Sequence, residues 1–307
     1  MQTLDQLNES FAIPGVLAFD DAHGGLIRAR VTTPSCAAEL YLQGAHLTAW
    51  QPAGEQPVIF LSGRSAFEPG KPIRGGVPVI FPWFGARTAS AGSSRTDGPS
   101  HGFGRIQPWQ LEFAALAGED LHLSLTLLPS DLSRSLGYDG FRVAFQFTLG
   151  RQLRMRFTVA NDGPEALPFE EALHTYLHVG DAQQIRIGGL GHTEFLDKTD
   201  NFVRKTQAVP VLTITGETDR PYLNTTAPVT VDDPVLRRRL TVAKSGSNTT
   251  VVWNPWSTLA ARLPDMDPEG WRTMVCVETA NAAENALELR PHQAHVMETV
   301  ITVDPLA

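Results

Sequence analysis

Cysteine is nearly missing from this chain: Cys36 and Cys276 are the only two in 307 residues. Two distant thiols make neither a disulfide framework nor a cysteine-rich metal site, and they are expected free in a reducing compartment. Long apolar runs are missing too. No stretch approaches the roughly 20 residues needed to cross a bilayer. Residues 1–15 carry Asp5 and Glu9 without a cationic flank, so no export signal is expected there. Basic charge is short: 25 Lys and Arg stand against 33 Asp and Glu, 25 − 33 = −8. Nucleic acid binding calls for a surplus of basic charge on one face, so such a partner is not expected. Helix signals are also scarce, the clearest being a short one over residues 3–10, ahead of Pro14. The expectation is a cytoplasmic protein with no membrane or nucleic-acid partner. Nothing in the pattern asks for an oligomer, so a monomer is expected.

What the chain does have is period-two alternation. Leu121, Leu123, Leu125 and Leu127 alternate with His122, Ser124 and Thr126. Val143, Phe145 and Phe147 repeat the pattern, and so do Leu153, Met155, Phe157 and Val159, which leaves Arg154 and Arg156 facing outward. Alternation of this kind places one side-chain set on each face of a strand. Residues 149–152 read as a hairpin between the last two runs. Further strands are expected over 249–253, 273–279, 287–289 and 296–303, where Val, Ile, Thr and aromatics are enriched. Gly-Pro, Ala-Pro and Asp-Pro steps punctuate the intervals. Many short strands without helical crossovers point to an all-β sandwich or barrel. No Pro-rich or Gly/Ser-rich linker divides the chain, so residues 1–307 are expected to form one domain, with residues 1–15 a short N-terminal helix or arm. The Ser/Gly/Thr-rich stretch 89–99 reads as a loop, and the Arg237-Arg238-Arg239 run as a solvated face.

Four segments hold the chemistry. Residues 71–85, KPIRGGVPVIFPWFG, combine three prolines, three glycines and three large aromatics with Arg74. This suits either a packed irregular loop or a rigid wall for a polar ligand, and the prolines keep it from being a central strand. Residues 99–105, PSHGFGR, set His101 and Arg105 around two glycines; Arg suits forked recognition of hydroxyls, carboxylates or phosphates. Residues 173–179, LHTYLHV, carry His174 and His178 four apart. On a strand that spacing keeps one face but separates them by about 13 Å, so they are not expected to share a metal. Residues 275–281, VCVETAN, put Glu278 at the end of an apolar run, where it is either an exposed strand end or a half-buried base. VVWNPW, residues 251–256, adds aromatics of the kind that pack on sugar rings.

Together and in this order, KPIRGGVPVIFPWFG, SHGFGR, HTYLHV, GETDRPY, VVWNPW and MVCVETAN resemble the aldose 1-epimerase superfamily, in its glucose-6-phosphate 1-epimerase (hexose-6-phosphate mutarotase) branch. The resemblance runs from about residue 10 to about residue 303. It implies a galactose mutarotase-like β-supersandwich with few short helices. It implies interconversion of the α and β anomers of a hexose 6-phosphate without metal or organic cofactor. By motif, His174 and Glu278 match the catalytic pair. Arg74, Arg105 and Asp219 match substrate-binding residues, and His101 lies beside the pocket. Ser100 stands where some members place a substrate-contacting Gln. Two other readings stay open: an epimerase of unphosphorylated aldoses, and a non-catalytic sugar-binding module.

Overall fold

The computed structural model describes residues 2–88 and 95–306; the first part of the expected 89–99 loop, residues 89–94, lies outside the described residues. The all-β expectation holds. Two eight-stranded sheets dominate. One runs, in spatial order, Arg186–Gly188, Val229–Asp233, Arg238–Ser245, Ala294–Pro305, Leu153–Asn161, Phe141–Leu149, Asp120–Leu127 and Gln110–Ala117. The other runs Val203–Thr206, Glu194–Asp197, Thr218–Tyr222, Thr249–Asn254, Met274–Asn281, Glu171–Leu173 and Val79–Ile80, with Tyr176–His178 also paired to Met274–Asn281. A four-stranded sheet, Leu17–Asp21 through His46–Pro52, and the two-stranded pair Leu167–Phe169 with Leu287–Leu289 complete it.

The alternation read from the sequence becomes the core. Leu121, Leu123, Leu125, Phe145, Phe147, Met155 and Phe157 on the first sheet join Leu173, Leu177, Val252, Val275 and Val277 on the second in one buried cluster. Leu149 pairs Leu153, closing the expected hairpin. The N-terminal helix is Leu4–Phe11, capped by the Thr3 hydroxyl, which accepts from the Gln6 N–H while the Gln6 side chain accepts from Thr3. Among the described residues no helix is long and apolar enough to cross a membrane. Both cysteines are free and buried.

One expectation fails. Arg238, read as part of a solvated run, is 2% exposed and donates to the carbonyls of Gln56, Pro57 and His178. Three backbone acceptors supply what water would otherwise have given the guanidinium. Arg239 does face outward, paired with Asp232.

The strand Met274–Asn281 is buried along its whole length and divides its side chains between two jobs. Val275 and Val277 enter the main core, whereas Met274 and Cys276 pack with Tyr176 and Trp271 on the opposite face. Glu278 has the parity of Cys276, so the ladder presents it on that second face. Asn254, the polar residue of WNPW, braces the start of this strand by donating to the carbonyls of Trp271 and Met274.

Candidate active site

The antiparallel register assembles the site before any side chain is considered. Asp219 pairs Trp253, Trp253 pairs Cys276, and Cys276 pairs Tyr176. Directly opposed residues share a face, so these four form one row across the sheet. Leu173 pairs Thr279 and Tyr176 pairs Cys276, which sets His174 level with Glu278 although the ladder is interrupted between them.

His174 Nδ1 and Glu278 Oε1 approach to 3.3 Å. His174 is 8% exposed and Glu278 1%. The approach lacks hydrogen-bond alignment: His174 Nδ1 and Glu278 Oε2 are both buried without a hydrogen-bond partner. Buried polar atoms are nearly always satisfied, and these two are left able to bond an incoming polar group. The imidazole stacks on Tyr176, with ring centres 4.9 Å apart, and meets Trp253 edge-on at 5.9 Å. Burial, helped by the charge of Asp219, pushes Glu278 well above the usual carboxylate range. Burial, helped by His101 and the nearby cations, holds His174 well below the usual imidazole range.

The Gly-rich segments place the arginines. Gly76 adopts φ +69°, and a Cβ there would lie 2.4 Å from His46 Nε2. The chain turns here to give Tyr176 the Gly76 carbonyl. Arg74, two residues earlier, bonds Asp265 Oδ1 at 3.1 Å and the Tyr176 hydroxyl at 3.2 Å. Gly102, at φ +71°, lets its backbone run against Phe81, where a Cβ would meet the Phe81 carbonyl oxygen at 2.1 Å. That contact sets His101 and Arg105 on either side. His101 Nδ1 accepts from the Gly85 N–H, and its ring centre lies 5.6 Å from that of His174. Arg105 donates to the Ser100 carbonyl, while its Nε is buried with no partner. Burial, with repulsion from Arg74, pulls Arg105 down to about 10, so it stays charged at neutral pH.

All six residues singled out from the sequence therefore converge: His174, Glu278, Arg74, His101, Arg105 and Asp219. Two further cations close to these segments in sequence, Lys71 and Arg87, do not join them. Lys71 pairs with Glu68 at the surface, and Arg87 lies over the Trp83 ring. Sequence reasoning missed Lys198, whose Nζ sits 2.7 Å from Asp219 Oδ2 and 5.4 Å from the centre of the Phe84 ring. No local spacing links residues 198 and 219, so nothing in the sequence signalled the pair. A surface cavity of about 660 Å³ lined by Arg87, Tyr138 and Asn161 lies elsewhere and has no histidine or cysteine in its wall. Chemistry, not volume, marks the site.

His174, Cys276 and Glu278 bring ligand-type atoms within 4.8 Å of one another. His178, the other half of the HxxxH spacing, is not in that group. Burial holds His178 below the usual imidazole range, and the charges that act on it are those of Arg238 and Asp233.

His46 supports the Arg74 turn from below and gives a measurable pH dependence. It is fully buried, and Nε2 donates to the Gly75 carbonyl at 2.8 Å. Nδ1 has no partner. A second proton would sit unpaired at Nδ1, and burial therefore pulls His46 down to about 4 from an ordinary 6.5. Between these values the unfolded chain binds more protons than the folded one. The stabilisation is thus complete above pH 6.5 and is lost as pH falls toward 4, about 3 kcal/mol in all. Urea unfolding between pH 7 and 4 should show a steeper loss in the native chain than in His46→Gln. Parallel curves would remove His46 as the cause.

Comparison with known proteins gives the arrangement its context. Residues 28–302 match the family described as aldose 1-epimerase. A protein of Escherichia coli K12, provisionally named a glucose-6-phosphate 1-epimerase, is 33% identical over 272 residues, covering 88% of each chain. The crystal structure of a provisionally assigned mutarotase from Salmonella typhimurium superposes with a TM-score of 0.88 at 30% identity, over 96% of each chain. A galactose mutarotase-like protein from Clostridium acetobutylicum shares the fold at 12% identity, with a TM-score of 0.70 over 94% of this chain and 98% of its own. With its galactose mutarotase-like fold and the family match spanning most of its length, the chain belongs to the aldose 1-epimerase family of isomerases.

Proposed function

We propose that this enzyme interconverts the α and β anomers of hexose 6-phosphates, chiefly glucose 6-phosphate, with Glu278 and His174 as its proton carriers. The observation that carries the reading is the buried His174–Glu278 approach, with a polar atom lacking any hydrogen-bond partner on each side chain. In ring opening, the Glu278 carboxylate takes the proton of the C1 hydroxyl, and protonated His174 gives its proton to the ring oxygen. The C1–O5 bond breaks and an aldehyde forms. Rotation about C1–C2 presents the other carbonyl face. On closure the O5 hydroxyl attacks C1, His174 takes back its proton, and Glu278 returns one to O1. Each residue ends as it began, and the protons balance. Each well-placed transfer is worth roughly 10²–10⁴-fold. One proton serves the pair, and the empty site favours its neutral form because both groups are desolvated. Sugar hydroxyls arriving in the cleft restore polar contacts and make the charged form accessible.

Asp219, with Lys198 beside it, is assigned to the sugar hydroxyls, and Trp253 to the apolar face of the ring. A chain of net charge −8 repels a phosphate ester at long range, so local cations must hold it. Arg105 is the better placed, since Arg74 is already committed to Asp265 and Tyr176. The name of the E. coli relative supports the phosphorylated substrate. The same commitment of Arg74 favours the second reading, an epimerase of free aldoses. Two buried free thiols fit a cytoplasmic enzyme, and the reading takes it to act as a monomer.

The test is anomerisation of freshly dissolved α-glucose 6-phosphate, followed by polarimetry, with α-glucose run in parallel. Acceleration of the ester alone is the expected result. Acceleration of free glucose alone would move the assignment to unphosphorylated sugars. No acceleration of either would leave a sugar-binding module.

A further inference from the structure

Beside the acid–base pair lies a group that the proton chemistry does not use. Cys276 stands two residues before Glu278 on the same strand, so its thiol and the Glu278 carboxylate project to the same side. Cys276 is 0% exposed. A ring nitrogen of His174, the Cys276 sulfur and a Glu278 oxygen lie within 4.8 Å of one another. His174 Nδ1 and Glu278 Oε2 have no hydrogen-bond partner in the protein.

We propose that these three side chains form a binding site for a borderline-soft divalent cation of the zinc type. Occupation of this site blocks the enzyme by capturing its acid and its base together. One nitrogen, one sulfur and one oxygen donor are the mixture such a cation favours. Metal–ligand bonds of about 2.0–2.3 Å in a tetrahedron put donors roughly 3.3–3.8 Å apart, so side-chain movements of about 1 Å close the site. A water molecule completes the shell at the fourth position. Thiolate and carboxylate together carry two negative charges, which balance the dication in a place where an unbalanced charge would be costly. The thiol proton, and the proton that Glu278 holds in the empty site, leave to solvent as the sulfur–metal and oxygen–metal bonds form. Burial beside Glu278 makes the free thiolate unfavourable, so the cation's own charge is what stabilises it. Lys198, the cation on the Asp219 side, is already engaged by that carboxylate at 2.7 Å. Magnesium is excluded by the same chemistry. It asks for about six oxygen ligands in a near-ideal octahedron, and the trio supplies one carboxylate.

Binding is independent of the proposed function; only the blocking rests on it. The experiment therefore reads both. Titration of the full chain with Co²⁺, followed by absorption spectroscopy, should give a thiolate-to-metal charge-transfer band that saturates at one equivalent and is displaced by Zn²⁺. Cys276→Ser and Cys276→Ala should lose the band, and Cys36→Ser should keep it. In the anomerisation assay each variant is compared with its own zinc-free rate. The Zn²⁺ concentration for half-inhibition should rise in the Cys276 variants by more than the roughly 10–100-fold that loss of an outer-shell partner costs. Absence of the band, its survival in both Cys276 variants, or equal zinc sensitivity of native and variant enzymes would overturn the proposal. A Cys276-dependent band with zinc-indifferent turnover would overturn the blocking. Should the native chain anomerise nothing, the charge-transfer band still decides the cation site.

Discussion

Glu278→Gln is expected to lower kcat by about 10²–10⁴-fold, the range for a lost proton transfer, with little change in KM. The amide has the shape of the carboxylate but cannot take the C1 hydroxyl proton at neutral pH. The fold should survive. Glu278 is 1% exposed and one of its oxygens has no partner, so folding at neutral pH must either desolvate a carboxylate or bind a proton there, a cost that a neutral amide does not share. The melting temperature is expected to stay level or rise, and circular dichroism with anomerisation kinetics on one preparation reads both. Retention of native kcat would take Glu278 out of the mechanism. Equal loss of activity and melting temperature would make it a structural residue.

Arg105→Ala should raise KM for glucose 6-phosphate by about 10–100-fold, the worth of a charge-assisted hydrogen bond. The effect on free glucose should be small. Arg105 is the cation with unused capacity: its Nε is buried and unpartnered, and only the Ser100 carbonyl engages its NH2. Arg74 would make a poorer probe. Its loss leaves Asp265 and the Tyr176 hydroxyl unpaired, and a fall in stability would be mixed with any fall in affinity. Steady-state kinetics on the two sugars settle the matter. An equal rise in KM for both would mean that Arg105 holds the ring, not the phosphate.

The legible part of this protein was the part written in periodicity and in motif. Leu121 through Leu127 and Phe141 through Val159 alternate cleanly because one face of each strand meets the core and the other meets water, as burial confirms. Glu278 was harder. Every residue from Met274 to Asn281 is buried, so no polar-apolar alternation announces which way the carboxylate points; its place at the end of an apolar run left two readings open, and the motif chose between them. Lys198, Asp265 and His46 escaped altogether. Each acts through a partner distant in the chain, Asp219, Arg74 and Gly75 respectively, and pairings of that kind leave no local spacing. Arg238 misled for a related reason. Three arginines in a row read as solvent-facing, but the carbonyls that receive Arg238 come from residues 56, 57 and 178.

The row Asp219–Trp253–Cys276–Tyr176 is held in line by ladder hydrogen bonds, and side chains on a strand repeat every two residues. This makes the cleft far more sensitive to chain length than to residue identity. Insertion of one residue between Met274 and Val277 would turn the carboxylate into the apolar layer and bring Val277 onto the face of Cys276, with no atom of the acid–base pair altered. Loops can grow and shrink around such a floor, but the strands beneath it admit changes of length only in pairs.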